Sequence, residues 1–140
     1  MILGIGTDLT SIDRIAETLQ EHGERFVKRC FAEEEQARVE KKSNGDTQLR
    51  NAGYAKRWAA KEACAKALSL GITEDVFLKD IVVVNDAAGK PGIVLRGGAK
   101  ERLTAITPDG MTPHIHVSLS DEPPLAAAFV VISAIAGGNT

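Results

Sequence analysis

Apolar positions along the chain follow two rhythms. Ile12, Ile15 and Leu19 recur at steps of three and four, one face of a helix that begins near Ile12, with Thr10 or Ser11 as its cap and Gly23 as its end. A second helical stretch is predicted over 24–42, and the polar run SNGDT at 43–47 reads as a loop. The strongest helical pattern is RWAAKEACAKALSLG at 57–71, with an extension back to Leu49. At about 100° per residue it gathers Ala60, Ala63, Cys64, Ala67 and Leu70 on one side, and Trp58, Glu62, Ala65, Lys66 and Ser69 on the other. The small-residue side suits close packing on a sheet.

The second rhythm is alternation. HIHVSLSD at 114–121 places Ile115, Val117 and Leu119 on one face and His114, His116, Ser118 and Ser120 on the other, a strand with one buried side. The segment 1–7 is short, apolar and glycine-interrupted, and DIVVVN at 80–85 and GIVLR at 92–96 read as strands joined by the turn-rich DAAGKP. GGAKERLTAI reads as a short helix, and LAAAFVVISAI is apolar enough for a central strand. Helices followed by strands predict one α+β domain over 1–140, an antiparallel sheet packed against helices.

Composition narrows the function. The 140 residues are 44% hydrophobic and only 4% aromatic, so the core must be built largely from Ala, Val, Ile and Leu. A formal charge of −2 argues against a dedicated nucleic-acid binder. The charge is uneven: residues 14–66 hold 12 basic and 9 acidic side chains, leaving 5 and 10 elsewhere, which predicts a basic surface for an acidic partner. Cys30 and Cys64 are too few for a disulfide framework and lack metal-site spacing. With no membrane-length apolar run and no leader pattern, the expected location is cytoplasmic, away from membranes.

Several residues could carry chemistry. Asp8 sits where an apolar strand approaches a helix, and it is either a helix-start acid or a cation ligand. Glu62 and Lys66, one turn apart, are either a solvated pair or a carboxylate for Mg²⁺ beside a lysine for phosphate. His116 is either a hydrogen-bonded sheet residue or a general base. The acidic run Glu33, Glu34, Glu35 is either a solvated helix face or the source of one active carboxylate, and DAAGKPG is either a simple hairpin or a phosphate or adenine contact. GIG lacks the spacing of a dinucleotide fingerprint, and no phosphate-binding loop or serine-nucleophile motif is present.

Taken together, GIGTDLTSIDRI, FAEEE, RWAAKEACAKAL, GKP and HVSLSDE, in this order and spacing, resemble the holo-acyl carrier protein synthase family, the short single-domain 4′-phosphopantetheinyl transferases. The resemblance implies transfer of the 4′-phosphopantetheine arm of coenzyme A to a serine of an acyl carrier protein, in support of fatty acid biosynthesis. It implies Mg²⁺ held by Asp8 and Glu62, with Lys66 on the diphosphate and His116 and Glu35 as candidates for handling the serine proton. Arg57, Lys90 and Pro91 fall on family positions near the nucleotide and its 3′-phosphate, and Arg14, Arg25 and Phe26 on positions that meet the carrier. Thr18 and Glu21 stand where relatives often place apolar or basic residues, and Asp121 stands where many carry His. A homotrimer with active sites between subunits is also implied. Two rival readings are a non-catalytic carrier-protein or nucleotide-binding module and a metal-dependent phosphate hydrolase.

Overall fold

The computed structural model describes residues 1–69 and 78–137. Strand β1 (Ile2–Ser11) passes directly into helix α1 (Ile12–Cys30), followed by α2 (Glu33–Ser43) and the long α3 (Thr47–Ala67). A 3₁₀ turn at Leu78–Asp80 leads to β2 (Ile81–Asn85), β3 (Pro91–Leu95), α4 (Gly97–Ile106), β4 (Met111–Glu122) and β5 (Leu125–Ala136). Strands β1, β5 and β4 form an antiparallel sheet with the apolar β5 in the centre, and β2 pairs with β3 as a separate hairpin. The expected α+β class and the central place of LAAAFVVISAI both hold.

Some local expectations change, and one open alternative is decided. Asp8 does not start a helix. It lies inside β1 opposite Ala128, and Ser11 is the cap, accepting from the backbone N–H of Arg14 at 3.2 Å. Gly23 does not end α1 but kinks it, at φ 47° and ψ −123°, a conformation that suits glycine. The stretch predicted as one helix over 24–42 is broken at Phe31 and Ala32, because the Phe31 ring is buried between Phe26 and Tyr54, with centroids 5.7 and 4.9 Å away. Burying such a ring contributes about 1.5–3 kcal/mol, more than continuing the helix through two residues. The extension of the third helix back past Leu49 is present, capped by the Asp46 carboxylate at 3.0 Å from the Leu49 N–H. Its end is earlier than expected, at Ala67; Leu70 and Gly71 lie outside the described residues.

Helix α3 organises the core. Its small face, Ala60, Ala63, Cys64 and Ala67, is buried with Ala128, Val130 and Ile132 of β5. Its contact with β1 is closer still: a Cβ on Gly4 would stand 1.9 Å from the Ala67 carbonyl oxygen, and one on Gly6 would stand 1.9 Å from that of Ala63. A second cluster joins α1 to α3 through Ile12, Ile15, Leu19, Val27, Phe31 and Tyr54. Among the described residues the far side of the three-stranded sheet has no such cover, and Ile5 (62% exposed), Leu9 (70%) and Phe129 (44%) stand on it.

The glycine contact makes a direct prediction. Gly6→Ala forces α3 and β1 apart, and is expected to cost about 1–3 kcal/mol, read as a lower urea midpoint. An unchanged midpoint would show that the contact yields without cost.

Candidate active site

Alternation along β1 sends Gly4, Gly6, Asp8 and Thr10 to the α3 side and Ile5, Thr7 and Leu9 to the open side. The glycines bring α3 down onto the strand, and the next residue on that side is Asp8. There it meets the far face of α3, where Glu62 and Lys66 project one turn apart. Lys66 Nζ donates to the Thr7 carbonyl at 2.8 Å and lies 3.4 Å from Asp8 Oδ1, while Thr10 Oγ1 donates to Asp8 Oδ2 at 2.6 Å. Asp8 thus comes together with a helical pair from a distant part of the chain.

Glu62 is held at an electrostatic disadvantage. Burial pushes its pKa above the ordinary carboxylate range, the nearby Asp8 charge adds to the rise, and Lys66 opposes it. Two carboxylates converging beside a groove, with one lysine beside Asp8, form a donor set suited to Mg²⁺, which takes one or two carboxylates and completes its shell with water and substrate oxygens. Among the described residues no cluster of three or more His, Cys, Asp or Glu is available for a softer metal.

From these acids a groove of about 700 Å³ runs along α1. Ile15, Phe26 and Trp58 line it together with Arg14, Arg25 and Arg29. The expected carrier-facing residues Arg14, Arg25 and Phe26 therefore share one surface with the two acids. Arg29, His22 and Trp58 also belong to this groove and were not singled out for it by sequence, although Arg25 and Arg29 are spaced for one helix face and Trp58 precedes Glu62 by one turn.

A second cavity of about 410 Å³ opens between α2, α3 and the β2–β3 hairpin. Arg57 and Pro91 line it, as do Arg38, Lys42, Lys56 and Asn85. Arg57 is only 8% exposed; its Nη2 donates to Asn85 Oδ1 at 3.0 Å, and its buried Nε has no partner among the described residues. Burial pulls its pKa down, and the Glu35 charge works against that. A buried guanidinium with an unused donor is a ready anion contact. Lys90 stands exposed in the adjoining turn, its backbone N–H bonded to Asp86 Oδ1 at 2.9 Å.

Two expected residues are not with Asp8 and Glu62. His116 points to the open side of the sheet, opposite Val131, with Nε2 3.1 Å from Ser133 Oγ. Within one copy it faces away from both acids. Glu35, the candidate acid of the FAEEE run, is 0% exposed and must be corrected to a structural residue. Its Oε1 accepts from Lys61 Nζ at 2.6 Å and from the Ala32 N–H at 3.0 Å, and its Oε2 from the Val83 N–H at 3.1 Å. Lys61 also donates to the carbonyls of Leu78 and Ile81. No substrate can reach such a carboxylate. Glu35 stands three residues after Ala32, the N-cap of α2, and its bond from the Ala32 N–H is the N3 half of a capping box, a local signal for this role.

The chain has known relatives. The family model of the 4′-phosphopantetheinyl transferase superfamily matches residues 4–124, and the chain belongs to that superfamily. Within it, the chain is a member of the holo-[acyl-carrier-protein] synthases. It is 56% identical over 135 residues to the holo-[acyl-carrier-protein] synthase of Rhodopseudomonas palustris, covering 96% of this chain and 92% of that one. The crystal structure of the Neisseria meningitidis synthase matches with a TM-score of 0.77 at 35% identity, over 95% of this chain and 99% of that one. The Helicobacter pylori synthase, solved in complex with coenzyme A, matches with a TM-score of 0.74 at 27% identity, over 92% and 99%.

The structural reading of Glu35 is tested by removing it. Glu35→Ala leaves the Lys61 ammonium buried and unpaired, at an expected cost of about 3–5 kcal/mol in denaturant unfolding. Pairing Glu35→Leu with Lys61→Met removes the unpaired charge and should recover part of that loss, the backbone groups of Ala32, Val83, Leu78 and Ile81 then lacking their partners. The folded double variant should turn over; a folded double variant without activity would return Glu35 to the chemistry.

Proposed function

We propose that this protein transfers the 4′-phosphopantetheine group of coenzyme A to a serine hydroxyl of an apo acyl carrier protein, in service of fatty acid biosynthesis. The convergence of Asp8, Glu62 and Lys66 at the end of a basic groove carries the reading. In the reaction the serine oxygen forms a bond to the pantetheine-side phosphorus. The bond from that phosphorus to the bridging diphosphate oxygen breaks, adenosine 3′,5′-bisphosphate leaves, and the serine proton passes to a base.

Each residue has a part. Asp8 and Glu62 hold Mg²⁺, which when bound neutralises charge building on the diphosphate oxygens. Lys66, already tethered to the Thr7 carbonyl, places its ammonium beside those oxygens and keeps the diphosphate in line for attack. The nucleotide end lies in the second cavity against Arg57, Lys90 and Pro91. Arg14, Arg25 and Phe26 receive the carrier, whose acidic helix complements the arginines. His116 accepts or positions the serine proton.

For His116 to do so, the active unit must contain more than one copy. The uncovered sheet face, with Ile5, Leu9 and Phe129 exposed, supports a homotrimer in which this face is buried and His116 of one copy completes the site of its neighbour. The protein acts in the cytoplasm, where its two free thiols stay reduced.

Intact mass spectrometry of an apo acyl carrier protein incubated with this protein, coenzyme A and Mg²⁺ should show a phosphopantetheine-sized gain, and a chelator added at the start should prevent it. Asp8→Ala and Lys66→Ala should each slow it on the order of 100-fold or more. Coenzyme A binding without transfer would favour a non-catalytic module, and an undiminished rate in Asp8→Ala would dismiss the metal site.

Glu62 permits a test that needs no turnover. Because its pKa is raised on folding, the folded state keeps the proton at pH values where the unfolded chain has lost it, so metal-free stability falls as pH climbs from the ordinary carboxylate range through the raised value. Mg²⁺ favours the ionised form. The rise in Tm on adding Mg²⁺ should therefore grow across that window and vanish in Glu62→Gln, which melts no lower than the parent without metal at neutral pH. A Mg²⁺ effect independent of pH, or one that survives in the variant, would count against Glu62 as a ligand.

A further inference from the structure

Charges around the second cavity are unbalanced in an informative way. Arg38, Lys42, Lys56 and Arg57 line it as cations, and Asp121 is the one acid among the described lining residues. Asp121 stands near the end of β4, beyond the alternating HIHVSLS stretch, and its Oδ1 lies 3.1 Å from Lys56 Nζ. Both side chains are partly exposed, so their pairing adds little to stability. Its consequence lies in where it holds the lysine. Lys56 and Arg57 are successive residues of α3, one anchored by the carboxylate of Asp121 and the other by the side-chain amide oxygen of Asn85. The two cations enter one cavity from adjacent helix positions, and the buried Arg57 Nε still lacks a partner.

An entering group must therefore do two things: satisfy Arg57 and compete with Asp121 for Lys56. A phosphate monoester near neutral pH carries close to two charges and three acceptor oxygens, enough to draw Lys56 from a single half-exposed carboxylate. A hydroxyl carries no charge and leaves the pair intact. We propose that Lys56 and Asp121 form a specificity pair, in which Lys56 gives the cavity its preference for coenzyme A over the 3′-dephospho form by pairing with the phosphate monoester, and Asp121 limits that preference by competing for Lys56. The inference rests on the reading that the nucleotide end of coenzyme A occupies this cavity. It assigns the discrimination to two residues which that reading does not use.

The experiment compares kcat/KM for coenzyme A and for 3′-dephospho-coenzyme A, with the full chain, Mg²⁺ and an apo acyl carrier protein. Lys56→Met is expected to lower the ratio of the two values about tenfold, and Lys56→Arg to keep most of it. Asp121→Asn removes the competing charge and should raise the ratio a few-fold, through a lower KM for coenzyme A with kcat unaltered. Partial exposure of both side chains makes misfolding of these variants an unimportant outcome, and a thermal melt checks it. The proposal is overturned if Lys56→Met changes both substrates equally or leaves both untouched while Arg57→Lys weakens coenzyme A, since the cavity would then hold the nucleotide without help from the pair. If Lys56→Met and Arg57→Lys both leave KM for coenzyme A unchanged, the nucleotide lies elsewhere and the cavity assignment falls as well.

Discussion

The architecture depends on a backbone contact with no room for a methyl group. Gly4 and Gly6 of β1 rest against the carbonyl oxygens of Ala67 and Ala63, each where a Cβ would sit 1.9 Å away. That contact sets the distance between strand and helix, and so the distance between Asp8 and the Glu62–Lys66 pair. A larger residue at either glycine would lift α3 by an ångström or more, and separate the three charged groups. Like charges do not gather unaided, and the close approach of Asp8 is one reason that Glu62 titrates above its ordinary range. Packing holds the acids together, and the lysine tethered to the Thr7 carbonyl reduces the strain between them.

The same helix is fixed from its other side by a different kind of interaction. Lys61, adjacent to Glu62, is fully buried and reaches Glu35 of α2, the Leu78 carbonyl and the Ile81 carbonyl at the start of β2. A buried ion pair is a poor source of stability compared with apolar packing, but one whose every donor and acceptor is matched defines a single register. Here it links α3 to α2 and the β2–β3 hairpin, the elements that wall the second cavity. One charged residue of the AAKEA stretch thus looks inward and holds the scaffold, and its neighbour looks outward to the groove.

Surface chemistry divides along the sheet. On the α3 side the acids, the arginine-lined groove and the basic cavity lie on one copy of the chain. On the open side apolar Ile5, Leu9 and Phe129 and the polar His116 stand together without cover. An exposed face of that size and mixed character suits burial against another copy better than it suits water. In the proposed reaction the acids and the proton acceptor His116 stand on opposite sides of this sheet, so the chemistry and the burial of the open face would go together.

Much was legible in the sequence because local rules operate where neighbours in sequence are neighbours in space. Alternation marked β4, three-four spacing marked α1 and α3, and the small-residue face of α3 announced a close contact. The motifs GIGTDL and RWAAKEACAKAL carry Asp8, Glu62 and Lys66, the three charged groups that the fold brings together. Other features depended on long-range packing. The break at Phe31 follows from a ring that finds its pocket between α1 and α3, the kink at Gly23 from continuing rather than ending the helix, and the inward turn of Glu35 from a lysine 26 residues away. Local pattern could not tell a solvated acid from a buried one, nor place His116 on the opposite side of the sheet from Asp8. Local pattern thus reaches the chemical groups and most of the elements that carry them; which groups share a site depends on which faces meet, and faces meet through contacts between residues distant in the chain.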